Sequence, residues 1–206
     1  MLSRALGRDA IYFDYVTSVE EALGKPAHLA KFEPCCYTPT TAGNEPHQWT
    51  NLKNYVENGG GFVPVIARAG ASATNQASIN LSAGGSRATK GTEFAAKIVK
   101  PDHPALKDVK EFTAWDETYF HANHNPKNRT VLMVRDAMKG DPHTKPEPWT
   151  WVRTQGKGRI FYTASGHDQR VWNNDGFHQL LKSGILWAVG DKAREGYENF
   201  LRVVHL

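Results

Sequence analysis

An α/β domain is the fold class that the sequence predicts, and three observations favour it. Residues 49–58 carry Leu52, Tyr55 and Val56 on one helical face, stop at three glycines and lead into the apolar run 62–66. Helix, glycine stop and strand in this order are typical of a βαβ unit. A second apolar run, 159–164, leads into a polar cluster and then into a further helical pattern. In open α/β sheets, the carboxyl end of such a strand is where ligands bind.

The first third of the chain predicts short elements. Residues 1–6 resemble the end of a helix, and the apolar run 10–16 predicts a strand. Ser18 followed by Glu21 is a capping-box pattern that opens a short helix. Residues 31–42 are ambiguous, because Pro34 and Pro39 disfavour a central strand there.

The rest of the chain predicts an alternation of strands and turns that ends in helices. Residues 67–91 are rich in Ala, Ser, Gly, Asn and Thr, which predicts an irregular loop or insert. Strands follow at 93–99 and 131–134, and the runs 148–152 and 159–164 around Gly156 and Gly158 predict a hairpin. Helical spacing over 177–186 ends at Gly190, a candidate C-cap. We expect one domain, 1–190, followed by a helical tail at 191–206.

Composition excludes several classes of protein. The chain has 206 residues and a net charge of +4, with scattered basic residues, so nucleic-acid binding is not expected. No apolar run reaches the length of a membrane span, and Met1-Leu2-Ser3-Arg4 does not begin a signal peptide. We therefore expect a soluble chain without a targeting signal. The two cysteines, Cys35 and Cys36, are adjacent and provide no disulfide framework.

Two pairs of polar residues are the main candidates for a site. His167 and Asp168 follow a predicted buried strand, where an imidazole can act as an acid, a base or a ligand. The alternative is that Asp168 only caps a helix. Asp116 and Glu117 lie between aromatic residues, and burial there would raise the pKa of a carboxyl group towards the range of a general base. The alternative is a solvated turn.

Metal and nucleophile chemistry have weaker support in the sequence. His121 and His124 are three residues apart and could join Glu117 in a zinc site, although surface histidines are the simpler interpretation. A glutaminase would need a cysteine on a strand-to-helix turn, whereas Cys35 and Cys36 lie between prolines. The tryptophans are interpreted mainly as core residues, with one or two at a sugar site.

Five segments form a recognisable set of motifs. They are Tyr55-Val56-Glu57-Asn58-Gly59-Gly60-Gly61, Trp115-Asp116-Glu117-Thr118-Tyr119, Gly156-Lys157-Gly158-Arg159-Ile160-Phe161-Tyr162, Ser165-Gly166-His167-Asp168 and Gly184-Ile185-Leu186-Trp187-Ala188. They resemble the trehalose-utilisation ThuA-like family, a branch of the class I glutamine-amidotransferase-like fold. The resemblance covers most of residues 1–60 and nearly all of 92–190, and it implies a flavodoxin-like three-layer sandwich with a mostly parallel sheet.

The chain departs from that family in two regions and at its start. The family's first strand, with its Gly-His loop, has no counterpart here, so the resemblance implies an N-terminal truncation and the loss of any upstream signal. Residues 34–48 and 67–90 lack the family's Asn-His and His positions. With assumed codons, a shifted reading frame across 33–42 and 85–89 restores these positions. We hypothesise that both segments are translated out of frame, and the gene sequence tests this.

The resemblance implies a role in sugar metabolism. We expect acid–base or metal-assisted hydrolysis or isomerisation of a sugar or keto-sugar, with His167, Asp168, Asp116 and Glu117 as catalytic residues. Substrate would contact Tyr119, Tyr162 and Trp172, and a divalent metal such as zinc would use His121 and His124. The expected partner is a small sugar-like ligand, with a homo-oligomer possible and no membrane or nucleic acid. The alternatives are a non-catalytic carbohydrate-binding module and a metal-dependent hydrolase of esters or lactones.

Overall fold

A computed structural model describes residues 2–37, 45–65, 85–122 and 125–204. In these ranges, three short α-helices come first, a strand–helix–strand unit follows, strands dominate the middle, and two helices close the chain. The helices are α1 Leu2–Leu6, α2 Val19–Leu23, α3 Pro26–Leu29, α4 Pro46–Glu57, α5 Asp175–Ala188 and α6 Asp191–Val204. The strands are β1 Pro34–Tyr37, β2 Gly61–Pro64, β3 Gly85–Ile98, β4 Phe112–Ala122, β5 Arg129–Arg135, β6 Glu147–Gln155 and β7 Gly158–Thr163.

The strands of the described ranges form one sheet in the order β1-β2-β7-β6-β5-β3-β4. The α/β class is confirmed, but the prediction of a mostly parallel sheet is wrong. Only β1–β2 and β2–β7 pair in parallel, and the other four pairings are antiparallel. The reason is connectivity: no α-helix is described between β3 and β7, and strands joined without a crossover helix pair antiparallel.

The hairpin predicted around residue 156 is confirmed as β6–β7. Gly156 has φ +59° in its turn, and a Cβ there would lie 2.6 Å from the backbone oxygen of Glu57. Lys157 donates its backbone N–H to that same oxygen. The glycine therefore provides both the left-handed backbone and the close approach to the end of α4.

Helix α4 confirms the pattern read over 49–58 and begins slightly earlier. Pro46 occupies the first turn, and Glu45 and Gln48 form a reciprocal capping box. Leu52 and Val56 are fully buried. The helix is therefore held by its apolar face against the sheet and leads, as predicted, through glycines into β2.

The strand predicted over 10–16 is wrong. This segment has no regular secondary structure, and Tyr12 is 83% exposed. Its apolar composition is typical of a strand, but a strand also needs a neighbour to satisfy its backbone groups. Among the described strands, none pairs with it. The short helix after Ser18 is confirmed, with the Ser18 hydroxyl accepting the backbone N–H of Glu21.

The prediction of an irregular segment over 67–91 is wrong for residues 85–91, because β3 begins at Gly85 and pairs with β4. Small polar residues are poor strand formers alone, and the long β4 ladder supplies the hydrogen bonds that hold them. Residues 67–84 lie outside the described residues.

The predicted C-terminal helices are confirmed as α5 and α6. The apolar face of α5 is buried, and Gly190 ends the helix with φ +92°. Tyr197 of α6 donates its hydroxyl to the backbone oxygen of Asp9, 2.6 Å away. None of the helices in the described ranges is long and apolar enough to cross a membrane.

Candidate functional site

The two predicted polar pairs meet in space, although they are about fifty residues apart in the chain. Since antiparallel pairings reverse direction at each step, β4 and β7 run the same way in the sheet. The chain leaves β7 and forms a turn at 165–168 that packs against β4. Asp116 and Glu117 on β4 therefore contact His167 and Asp168 on the turn.

Asp116 is the buried anchor of this contact. Its Oδ2 accepts the backbone N–H groups of Gly166 (2.7 Å) and His167 (3.4 Å). Its Oδ1 accepts those of Asp168 (2.7 Å) and Glu117 (2.9 Å). Burial raises the pKa of the Asp116 carboxyl group above its ordinary value, and the four N–H donors oppose that shift. All four contacts are donors, so they select the ionised carboxylate, and the geometry assigns Asp116 to positioning of the turn.

Glu117 points to the other face of β4, together with Tyr119, because side chains two residues apart on a strand share a face. The Tyr119 hydroxyl donates to Glu117 Oε2. The same oxygen lies 3.4 Å from His167 Nε2, with the side chains of His167 and Glu117 exposed to 41% and 27%. Burial and the neighbouring Glu117 raise the pKa of the Tyr119 hydroxyl. The Glu117 carboxylate, which accepts a hydrogen bond from Tyr119, therefore lies next to the accessible imidazole of His167.

Asp168 is engaged by its neighbour Arg170. Its Oδ1 accepts the backbone N–H of Arg170 and the Nε–H of the guanidinium, and its Oδ2 accepts Nη2–H. These bonds lower the pKa of Asp168 to about 2. The alternative that Asp168 caps the following helix is wrong, since Asn174 caps α5 by accepting the N–H of Phe177.

Trp172, predicted to contact substrate, is almost fully buried. Its ring packs edge-on against Phe177, with centroids 5.2 Å apart. Its indole N–H donates to the carbonyl of Gly166 at 2.6 Å. Trp172 therefore contacts the backbone of the 165–168 turn.

A second polar array lies behind Tyr119 and contains a residue that the sequence did not reveal. His121 Nδ1 is 2.7 Å from Glu147 Oε1, and its Nε2 is 2.8 Å from the Tyr162 hydroxyl. The His121 and Glu147 side chains are each 2% exposed. The half-exposed His143 contacts the other oxygen of Glu147 at 3.0 Å. Burial would raise the pKa of Glu147, but its bonds to His121 lower it overall.

In this array, Tyr162 and His121 contact other residues of the protein. The Tyr162 ring is buried and stacks on Trp151, and its hydroxyl lies next to His121. Both ring nitrogens of His121 have a protein neighbour. His124, the other predicted ligand, lies outside the described residues. Within the described ranges, no three His, Cys, Asp or Glu side chains are grouped to hold a metal ion.

A cavity of about 660 Å³ lies away from the predicted site, between the 10–19 segment, β1 and the ends of α5 and α6. Cys35 and Cys36 line it as free thiols. Burial raises the pKa of the Cys35 thiol to about 12 and also raises that of Cys36. A buried thiol with a raised pKa is a poor nucleophile.

Comparison with known proteins agrees with the resemblance seen in the sequence. The family model described as ThuA, trehalose utilisation, matches residues 2–188. A ThuA-like protein from Parabacteroides merdae superposes with a TM-score of 0.71 at 20% identity, covering 91% of this chain and 82% of that one. A second, from Bacteroides uniformis, gives a TM-score of 0.70 at 18% identity, covering 90% and 80%.

A larger protein shares the fold over part of its length. The β-galactosidase from Bacillus circulans sp. alkalophilus superposes with a TM-score of 0.58 at 17% identity, covering 89% of this chain but 26% of that one. At such identities, the likeness concerns the fold alone. No functionally curated protein matches the chain.

Proposed function

Because the chain belongs to the ThuA family of trehalose utilisation, we propose that it processes a sugar by acid–base chemistry at Glu117 and His167. The observation that carries the proposal is the contact between Glu117 Oε2 and His167 Nε2 at 3.4 Å. It brings a carboxylate and an imidazole together on an accessible surface at the end of a strand, where ligands bind in α/β proteins.

The two residues have complementary roles. Imidazole is the side chain that ordinarily changes charge near neutral pH, so it suits proton transfer. His167 takes a proton from a sugar hydroxyl or a water molecule, and the neighbouring Glu117 stabilises the imidazolium that forms. The same imidazolium returns the proton to the departing or rearranging oxygen. Tyr119 holds Glu117 through its hydroxyl.

Asp116 and Asp168 serve this pair by positioning. Asp116 binds the backbone of the turn that carries His167, and Asp168 is occupied by Arg170. Neither carboxylate is oriented towards a substrate as a free base. The reaction that we propose for the Glu117–His167 pair is hydrolysis or isomerisation of a sugar or keto-sugar.

A non-catalytic carbohydrate-binding module is the second candidate, and the hydrogen bonding of Asp116 and Asp168 favours it. Two of the four predicted catalytic carboxylates and histidines are fully engaged in internal hydrogen bonds. Such a module would bind sugar without turning it over.

Turnover separates the two functions. Wild-type protein is assayed with trehalose, glucose, keto-sugars and glucono-1,5-lactone, beside His167→Gln and Glu117→Gln. His47→Gln is a matched control, because His47 also contacts a glutamate, Glu20, at 3.0 Å on an exposed surface. We expect the loss of His167 to reduce kcat roughly 10²–10⁴-fold, with affinity changed only a few-fold. Equal activity of His167→Gln and His47→Gln, or sugar binding without any turnover, would contradict the enzymatic proposal.

A further inference from the structure

Arg170 lies at the rim of the Glu117–His167 site and is held there by hydrogen bonds to Asp168. The Nε–H donates to Asp168 Oδ1 at 2.6 Å and Nη2–H to Oδ2 at 2.9 Å. Its backbone N–H donates to the same carboxylate at 2.8 Å. The carboxylate is thereby paired with the side chain and the main chain of one residue.

Trp115 fixes the plane of the guanidinium. The Arg170 guanidinium carbon lies 3.3 Å from the centroid of the Trp115 ring. Trp115 and Glu117 are two residues apart on β4 and therefore share a face of the strand. Gly91 on β3 leaves room for this ring, because a Cβ at Gly91 would lie 2.2 Å from the Trp115 ring. The stack thus places Arg170 on the face of the sheet that carries Glu117.

These contacts add little to the stability of the fold. The Arg170 side chain is 58% exposed, and exposed ion pairs contribute roughly 0–1 kcal/mol. Their effect is to restrict the side chain, so that less conformational entropy is lost when Arg170 forms a further hydrogen bond. Among the described residues, its Nη1 has no hydrogen-bond partner. Arg170 is thus a preorganised donor beside the acid–base pair.

We propose that Arg170 is a ligand-binding residue, which donates from Nη1 to a neutral oxygen, a hydroxyl or a carbonyl, of the sugar bound at Glu117 and His167. The inference rests on the proposed function and adds the charge class of its substrate. Asp168 already compensates the guanidinium, Asp116 binds the backbone of Asp168, and Glu117 adds a carboxylate beside His167. An uncharged sugar therefore fits this site, and a sugar phosphate does not.

Binding of neutral sugars tests the proposal in the full chain. Dissociation constants are measured by calorimetry for trehalose, glucose and glucono-1,5-lactone, and for trehalose 6-phosphate as the charged counterpart. The variants are Arg170→Gln, which removes the charge, and Arg170→Lys, which keeps the charge but loses the planar fork. We expect both to bind the preferred neutral sugar about tenfold more weakly than wild type, and wild type to bind the phosphate more weakly than trehalose.

Arg159 provides the matched control. It pairs with Asp191 at 2.8 Å and lies over the ring of Trp187 at 5.4 Å, remote from the site. Arg159→Gln should leave affinity within about twofold of wild type, and thermal melts show whether each variant is folded.

The outcomes distinguish the role of Arg170 from the proposed acid–base function of Glu117 and His167. Unchanged affinity in both Arg170 variants, or preferred binding of the phosphate, overturns the role of Arg170 while turnover by His167 can still stand. A wild-type chain that binds none of the neutral sugars overturns both.

Discussion

At the scale of single residues, Asp116 shows how a buried carboxylate can organise a site without acting in it. Four backbone N–H groups bind its two oxygens, and three of them belong to the turn that carries His167. The position of His167 against Glu117 therefore depends on a residue that faces away from the exposed pair.

Asp116→Asn should destabilise the protein and displace the turn. The amide nitrogen would place its own N–H groups against backbone N–H donors, and the charge that strengthens those bonds would be lost. We expect a decrease of about 2–4 kcal/mol in the free energy of unfolding, measured by urea denaturation. Asp102→Asn, at an exposed position, should change it by less than about 0.5 kcal/mol. Similar values for both variants would show that Asp116 does not hold the turn.

Glu147 should make stability depend on pH at the acidic end. Its pKa in the folded chain is lowered, net of burial, by His121. A lowered folded pKa gives stabilisation that is present above the ordinary value of 4.5 and is lost as the pH falls through the folded pKa. The difference in unfolding free energy between wild type and Glu147→Gln should therefore shrink as the pH falls from the ordinary value of 4.5 to about 3.

The exposed Glu195 is the control for this titration. Glu195→Gln should follow the wild-type pH dependence throughout. A constant difference between wild type and Glu147→Gln across the same range would exclude Glu147 as its source.

Sequence reasoning identified part of this site, and the reasons differ by residue. His167 could be singled out because it follows a predicted buried strand, and Glu117 because it lies between Trp115 and Tyr119. Glu147 was missed: it lies between Pro146 and Pro148 at the end of a polar stretch, a context typical of an exposed loop. Its burial follows from two contacts that no local pattern shows. Glu147 lies opposite Arg135 in the register of β6 and β5, and it contacts His121 on β4.

At the scale of elements, the longer helices α4, α5 and α6 were predicted well because their information is local. Apolar spacing, caps and terminal glycines all lie within a helix or next to it, as α4 and α5 illustrate. The segment 10–16 shows the limit of such patterns. Its apolar run includes Ile11 and Phe13, which are partly buried against the core, but the run could not indicate whether a neighbouring strand exists.

Two helical glycines should respond to alanine with opposite signs. In α5, a Cβ at Gly184 would lie 2.4 Å from the ring of Phe161, so Gly184→Ala forces the packing apart and should cost about 1–3 kcal/mol. In α6, nothing lies within 4 Å of a Cβ at Gly196, and Gly196→Ala should stabilise by about 0.5–1 kcal/mol through helix propensity. Thermal melts compare the two, and stabilisation by Gly184→Ala would contradict the packing of α5 on β7.

At the scale of the whole molecule, the sheet has a parallel part, β1-β2-β7, and an antiparallel part, β6-β5-β3-β4. The candidate site lies where the turn after β7, in the parallel part, reaches β4 at the far edge of the antiparallel part. Sequence patterns predicted β7 but neither β4, which carries Glu117, nor the pairing of the strands, since pairing depends on contacts between distant residues. The meeting of Glu117 and His167 is a property of the complete sheet.

The measurement that most directly tests the central proposal is a double-mutant cycle in turnover between Glu117 and His167. Values of kcat/KM are compared for wild type, Glu117→Gln, His167→Gln and the double variant, on the sugar that wild type turns over best. If the two residues act as one acid–base unit, the double variant should be about as slow as the slower single variant. Losses that simply multiply would mean that the residues act independently, and the proposed pair would be wrong.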